Sequence, residues 1–239
     1  MRFASRTRSG DSPVCLCDQC AKAAPFRISR RAVFGGMAGL LLASRARAQT
    51  TLAPDAALEQ LMAGNARFVA NRLTSFEADL DMLKQQTVAK QEPFAAVLSC
   101  ADSRVPVELV FDQSIGHVFV ARVAGNVCTP EIIASLEYGA AVLGTAAIMV
   151  LGHSGCGAVK ATMEGKAVPG QISALYAPIR PAVERAGKDL EAAIRANAQI
   201  QANLLRTASP VIAERVQQGK LTVVAGYYDL ASGKVSLLA

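Results

Sequence analysis

No stretch of this 239-residue chain is apolar for long enough to span a bilayer, and the chain contains no tryptophan. Internal repeats and low-complexity linkers are missing after residue 50. Cysteine is too scarce for a disulfide scaffold. Cys15, Cys17 and Cys20 sit near the start, leaving Cys100, Cys128 and Cys156, three thiols that cannot all pair within one chain.

A sustained excess of charge is also lacking, once the chain is divided. The formal net charge is +6, but the first 48 residues hold 9 Lys/Arg against 2 Asp/Glu, whereas the remainder holds 16 against 17. The basic character therefore belongs to the N-terminal segment, and the rest offers no electrostatic footprint for nucleic acid.

That segment has the order of an export leader. Basic residues run up to Arg31, an apolar stretch follows from Ala32 to Leu42, and the small-residue sequence Ala46-Arg47-Ala48 precedes Gln49. Ser29-Arg30-Arg31 followed by Phe34 resembles a bacterial twin-arginine signal. The expectation is a removable leader over 1–48, a domain over 49–239, export to the periplasm, and no stable membrane span after processing. Cys15-Leu16-Cys17-Asp18-Gln19-Cys20 is a single metal-like cluster without a second half, and it is read as an incidental extension ahead of the signal.

Beyond the leader, Pro54 to Asn71 predicts an amphipathic helix with Leu58, Leu61, Met62, Phe68 and Val69 on one stripe, and Asp79 to Lys90 a second. Short apolar runs at Phe94–Leu98, His117–Val123, Ala146–Leu151 and Leu221–Tyr228 read as buried strands, with Lys234 to Leu238 adding an edge hairpin. Between the second and third, Ile133, Leu136, Ala140 and Leu143 recur at helical spacing behind Pro130. Lys188 to Arg206 predicts a long helix, and Ser209-Pro210 opens another that Gly219 closes. This alternation implies one α/β domain, with a mainly parallel central sheet flanked by helices.

Two chemistry-bearing segments follow strands. Cys100 comes after the first and His153-Ser154-Gly155-Cys156 after the third, so a parallel sheet brings both to the edge formed by the strands' carboxyl ends. Thiolate and imidazole are favoured zinc ligands, and three protein ligands leave one tetrahedral position open for catalysis. In Cys100-Ala101-Asp102-Ser103-Arg104, Arg104 is able to hold the Asp102 carboxylate, and alternate residues share a side if the segment stays extended. A Cys100–Cys156 disulfide is the main competing account, and it leaves His153, Asp102 and Arg104 without a purpose. Cys128 reads as a small buried residue, His117 as a structural or surface group away from the metal, Phe119 and Tyr138 as core by default, and Gly125-Asn126 as a turn or an active-site loop.

These motifs resemble the β-class carbonic anhydrases, whose signatures Cys-x-Asp-Ser-Arg and His-x-x-Cys-Gly stand here at Cys100–Arg104 and His153–Gly157. Leu61–Phe68, Phe119–Asn126, Ser135–Tyr138 and Ile148–Gly152 are similar to further family segments, so the resemblance covers essentially all of 49–239. It implies one zinc ion per subunit on Cys100, His153 and Cys156, and reversible hydration of carbon dioxide to bicarbonate and a proton by zinc-bound hydroxide. It also implies catalytic roles for Asp102 and Arg104, with Asp102 able to take the fourth zinc position in a closed state and Arg104 acting as a latch for the open one. Homodimers or larger homo-oligomers are implied as well. Val123, His117 and Ala158 depart from the family pattern outside the zinc set, and the absence of tryptophan predicts that the Trp-containing bicarbonate-inhibition site of some members is missing. The rival readings are a related zinc hydrolase of carbon disulfide or carbonyl sulfide, and a non-catalytic bicarbonate- or zinc-binding module.

Overall fold

The computed structural model describes residues 50–75 and 80–239. The leader, its boundary at Gln49 and the Cys15, Cys17 and Cys20 cluster lie outside the described residues.

Among the described residues the chain runs α1 (Pro54–Val69), α2 (Leu80–Thr87), β1 (Ala95–Ser99), α3 (Val107–Val110), β2 (Val118–Arg122) and α4 (Pro130–Ala141). It continues as β3 (Ala147–His153), α5 (Gly157–Glu164), α6 (Tyr176–Ala186), α7 (Leu190–Ala208), α8 (Pro210–Gln217), β4 (Thr222–Tyr228) and β5 (Val235–Leu238). The sheet order is β2-β1-β3-β4-β5. The first four strands are parallel and β5 returns antiparallel to β4, which is the expected architecture with its edge hairpin.

The apolar runs are continuous because the central strands are covered on both faces. Ala95 and Val97 of β1 and Met149 and Leu151 of β3 pack with Ala57 and Leu61 of α1 and with Val107, Val110 and Phe111. Their neighbours Ala96, Leu98, Ile148 and Val150 point the other way, onto Leu136 and Ala140 of α4, Ala202 and Leu205 of α7 and Ile212 of α8. At Gly64 of α1 an added Cβ would lie 1.8 Å from the Phe111 carbonyl oxygen, so only glycine lets that helix approach the chain so closely.

Boundaries moved where caps outweighed periodicity. Helix α1 stops at Val69, with Asn71 beyond it in the left-handed region at φ 54°. Helix α7 starts at Leu190, not Lys188, because the Asp189 side chain accepts the Ala192 N–H at 3.0 Å. The second helix ends at Thr87, short of Lys90. Helices α3, α5 and α6 were not foreseen. The first is a single turn, the second buries only Val159 and Thr162, and the third contains two prolines. Pro178 falls in the first turn of α6, where a missing N–H costs nothing, and only Pro181 forfeits a helical bond. No described helix is long and apolar enough to cross a membrane.

Candidate active site

Adjacent parallel strands β1 and β3 pair Ser99 with Leu151, so Cys100 and His153 leave the sheet at one edge. Strand order reverses between them, the place in an open α/β sheet where ligands bind. His153 ends β3, and Cys156 caps α5 from the non-helical side.

The Sγ atoms of Cys100 and Cys156 and a ring nitrogen of His153 lie within 4.8 Å of one another, all buried. The cysteines are free thiols, so the disulfide account is not the arrangement found. His153 Nδ1 lies 3.0 Å from the Ser154 carbonyl oxygen, which only accepts. Nδ1 therefore carries the proton, and the lone pair of Nε2 faces the two sulfurs. Nε2 is fully buried and has no hydrogen-bond partner. A buried lone pair without a partner is costly, and a cation at that point satisfies it together with both thiols.

The sulfurs share their charge unequally. The hydrogen bond from Cys156 is the largest influence on Cys100 and brings its thiol down to about 4 against the opposing effect of burial, with the Gly125 N–H and the Asp102 backbone adding to it. Cys156, next to that charge and buried, is pushed up. One thiolate thus forms readily and the second needs a cation, which matches the donor chemistry of zinc.

Asp102 is held by Arg104. Arg104 Nε donates to Oδ1 at 2.9 Å and Nη2 to Oδ2 at 2.7 Å. The segment does not stay extended as the alternation argument assumed. It turns after Asp102, whose Oδ1 also accepts the Arg104 backbone N–H at 2.9 Å while its carbonyl accepts from Val105 at 3.1 Å. The turn brings Arg104 back over the carboxylate and holds its pKa well below the usual range. Asp102 Oδ2 lies 3.9 Å from His153 Nε2, with room to accept a further hydrogen bond.

The carbonic anhydrase family profile matches residues 95–235. Carbonic anhydrase 2 of Mycobacterium tuberculosis is 34% identical over 192 residues, covering 77% of this chain and 92% of that protein. The carbonic anhydrase of Mycolicibacterium smegmatis is 37% identical over 194 residues, covering 77% and 93%. The chain belongs to the β-class carbonic anhydrases. The solved structure of the β-carbonic anhydrase CcaA superposes on this anhydrase with a TM-score of 0.60 at 28% identity, covering 76% of this chain and 95% of that one. Its reaction is the zinc-dependent reversible hydration of carbon dioxide, and neither rival reading is favoured.

Cys100, His153, Cys156, Asp102 and Arg104 come together in the anhydrase; of the other residues singled out, His117, Cys128, Phe119 and Tyr138 do not join them. His117 is exposed at the amino-terminal edge of β2, Cys128 is buried, with burial pushing its thiol up to about 12, and Tyr138 is half exposed against Phe119. Gly125-Asn126 is part of the site: the Gly125 N–H donates to Cys100 Sγ at 3.3 Å. Sequence reasoning missed Arg122, whose guanidinium donates to the carbonyls of Cys100 at 2.9 Å and Asp102 at 2.5 Å. Its last place in a strand beside β1 was the available signal.

Proposed function

We propose that Cys100, His153 and Cys156 hold the zinc of this carbonic anhydrase, that Asp102 orients the reacting water, and that Arg104 keeps Asp102 turned to that task. The observation that carries this reading is the partnerless, buried Nε2 of His153, facing two free thiols with Asp102 Oδ2 at 3.9 Å. Zinc, when bound, supplies the Lewis acid that makes a water nucleophilic toward carbon dioxide near neutral pH. Asp102 stays ionised in the arms of Arg104, so it accepts a hydrogen bond from the water and does not compete as an acid. The two-pronged pair favours the open form, with Asp102 kept from the fourth ligand position. Stopped-flow carbon dioxide hydration with zinc content measured on the same sample tests this. Zinc-replete protein without activity would return preference to a sulfur-analogue hydrolase or a binding module.

The same reading takes residues 1–48 as a twin-arginine-type leader, 49–239 as the anhydrase domain and the periplasm as its destination, on the basic, apolar and small-residue order before Gln49. Replacing Arg30 and Arg31 by lysine should leave unprocessed precursor in the cytoplasm, and unchanged export would refute it. A homo-oligomer is supported by the β2 edge and by exposed Val88, Ile115, Tyr138 and Val142, of which Val88 and Tyr138 line one hollow. The β-carbonic anhydrases of Sordaria macrospora, alike in fold at 21% identity with a TM-score of 0.60, are tetrameric. A monomer by light scattering would overturn this part.

A further inference from the structure

We propose that Asn197 and Gln201 of α7 are positioning residues of the metal centre, holding the Gly125–Cys128 loop so that the Gly125 N–H stays aimed at the Cys100 sulfur. The inference rests on Cys100 being a zinc ligand.

The loop needs holding. Gly125 and Asn126 are consecutive left-handed residues at φ 76° and 44°, and the second is not glycine. Asn197 Nδ2 donates to the Gly125 carbonyl oxygen at 2.8 Å, fixing one side of the residue whose N–H reaches Cys100 Sγ at 3.3 Å. Gln201, one helical turn on, accepts the Cys128 N–H at 2.8 Å through Oε1. Its Nε2 donates to the Pro178 carbonyl at 3.0 Å and to Asn197 Oδ1 at 3.3 Å, which sets the orientation of the Asn197 amide. Both side chains are 1% exposed.

Burying two amides is unfavourable unless their groups are used, and the other buried positions of α7 are alanine, isoleucine and leucine. The loop also packs closely on α6 at this point: a Cβ on Gly125 would lie 2.7 Å from Ile179 Cδ1. Gly125 thus supplies the backbone conformation, and α7 supplies the restraint. An N–H···S bond draws charge from a thiolate, so the two amides adjust the donor strength of Cys100 without touching the metal.

The test uses the full chain loaded with cobalt(II), which reports thiolate ligation by a sulfur-to-metal charge-transfer band. Asn197→Leu, close in size but unable to donate, should move the band to lower energy and weaken cobalt affinity on the order of tenfold in chelator competition. Leu205→Ala, on the same helix but in the other core cluster, should lower Tm and leave the band in place. A folded Asn197→Leu protein with the parent's band and affinity would overturn the proposal. Should that variant not fold, Gln201→Met decides by the same two readings, an unmoved band again overturning it. Loss of the ligand reading looks different: the parent itself would show no charge-transfer band, or Cys100→Ser would keep the parent's band unchanged.

Discussion

Among the described residues, two Asp–Arg pairs lie ten positions apart at their aspartates, and they are put to opposite uses. Asp112 pairs with Arg67 at 2.5 Å and also accepts from the backbone N–H and hydroxyl of both Thr74 and Ser75. Five donors converge on a carboxylate whose side chain is 0% exposed, and its accepting capacity is consumed. Asp102 accepts only from Arg104, its side chain is 18% exposed, and its Oδ2 takes one donor. Saturation locks a chain segment in place; spare capacity beside a partnerless imidazole is available for chemistry. Burial opposes ionisation of Asp112, yet the bonds from Ser75, Arg67 and Thr74 outweigh it and hold its carboxyl well below the ordinary range.

The largest expected effect removes what distinguishes the Asp102 neighbourhood. His153→Ala should abolish zinc retention and lower carbon dioxide hydration on the order of 10³-fold or more, measured by metal analysis and stopped flow. Next, Asp102→Asn should keep zinc and lose about 10²-fold in kcat, whereas Asp112→Ala should keep activity per folded molecule. Equal kinetic losses in the two aspartate variants would erase the contrast drawn between the pairs.

Stability should reverse that ranking. Asp112→Ala leaves Arg67 and four further donors without their acceptor and should cost about 3 kcal/mol in denaturant unfolding. The parent's pH dependence follows from the same bonds. A carboxyl depressed in the folded state contributes its full stabilisation above its unfolded pKa of about 3.9 and loses it as pH falls through the lower folded value. Unfolding midpoints of the parent should therefore drop below about pH 4, and the Asp112→Ala protein should show a shallower drop. The smallest effect concerns the turn. Arg104→Lys keeps the charge but not the two-pronged grip, and should lower kcat about tenfold with little change in Tm. Two thiolates and a neutral imidazole cancel the formal charge of zinc, so activity in the parent should climb between about pH 6.5 and 9, and a flat profile at constant zinc occupancy would contradict that account.

Much of this was legible in the residues. The strands show because β1 and β3 are apolar up to their last residues, Ser99 and His153, and Ser209 and Pro210 announce α8 through cap chemistry that is local. The zinc set shows because thiol and imidazole follow two strands, and parallel pairing alone carries them to one edge. Helix α6 was hidden by its prolines, whose cost depends on where in the helix they fall, and that is a property of the start that Leu175 and its preceding turn define. Arg122, Asn197 and Gln201 were hidden for another reason. Each acts on backbone atoms 20 to 73 residues distant, and a backbone carbonyl carries no sequence signature.

The residues alone determined the kind of centre this is, since ligand chemistry resides in side-chain identity and parallel strands send their carboxyl ends one way. The Cys100–Arg104 motif picked out Asp102 from the residues alone, but how much accepting capacity each aspartate keeps was decided only by the tertiary structure. Asp102 has its arginine two positions on, whereas Asp112 meets Arg67 from 45 positions away. Folding surrounds Asp112 with donors from Thr74 and Ser75 and leaves Asp102 beside His153, because hydrogen-bond capacity is spent on whatever packing brings within reach.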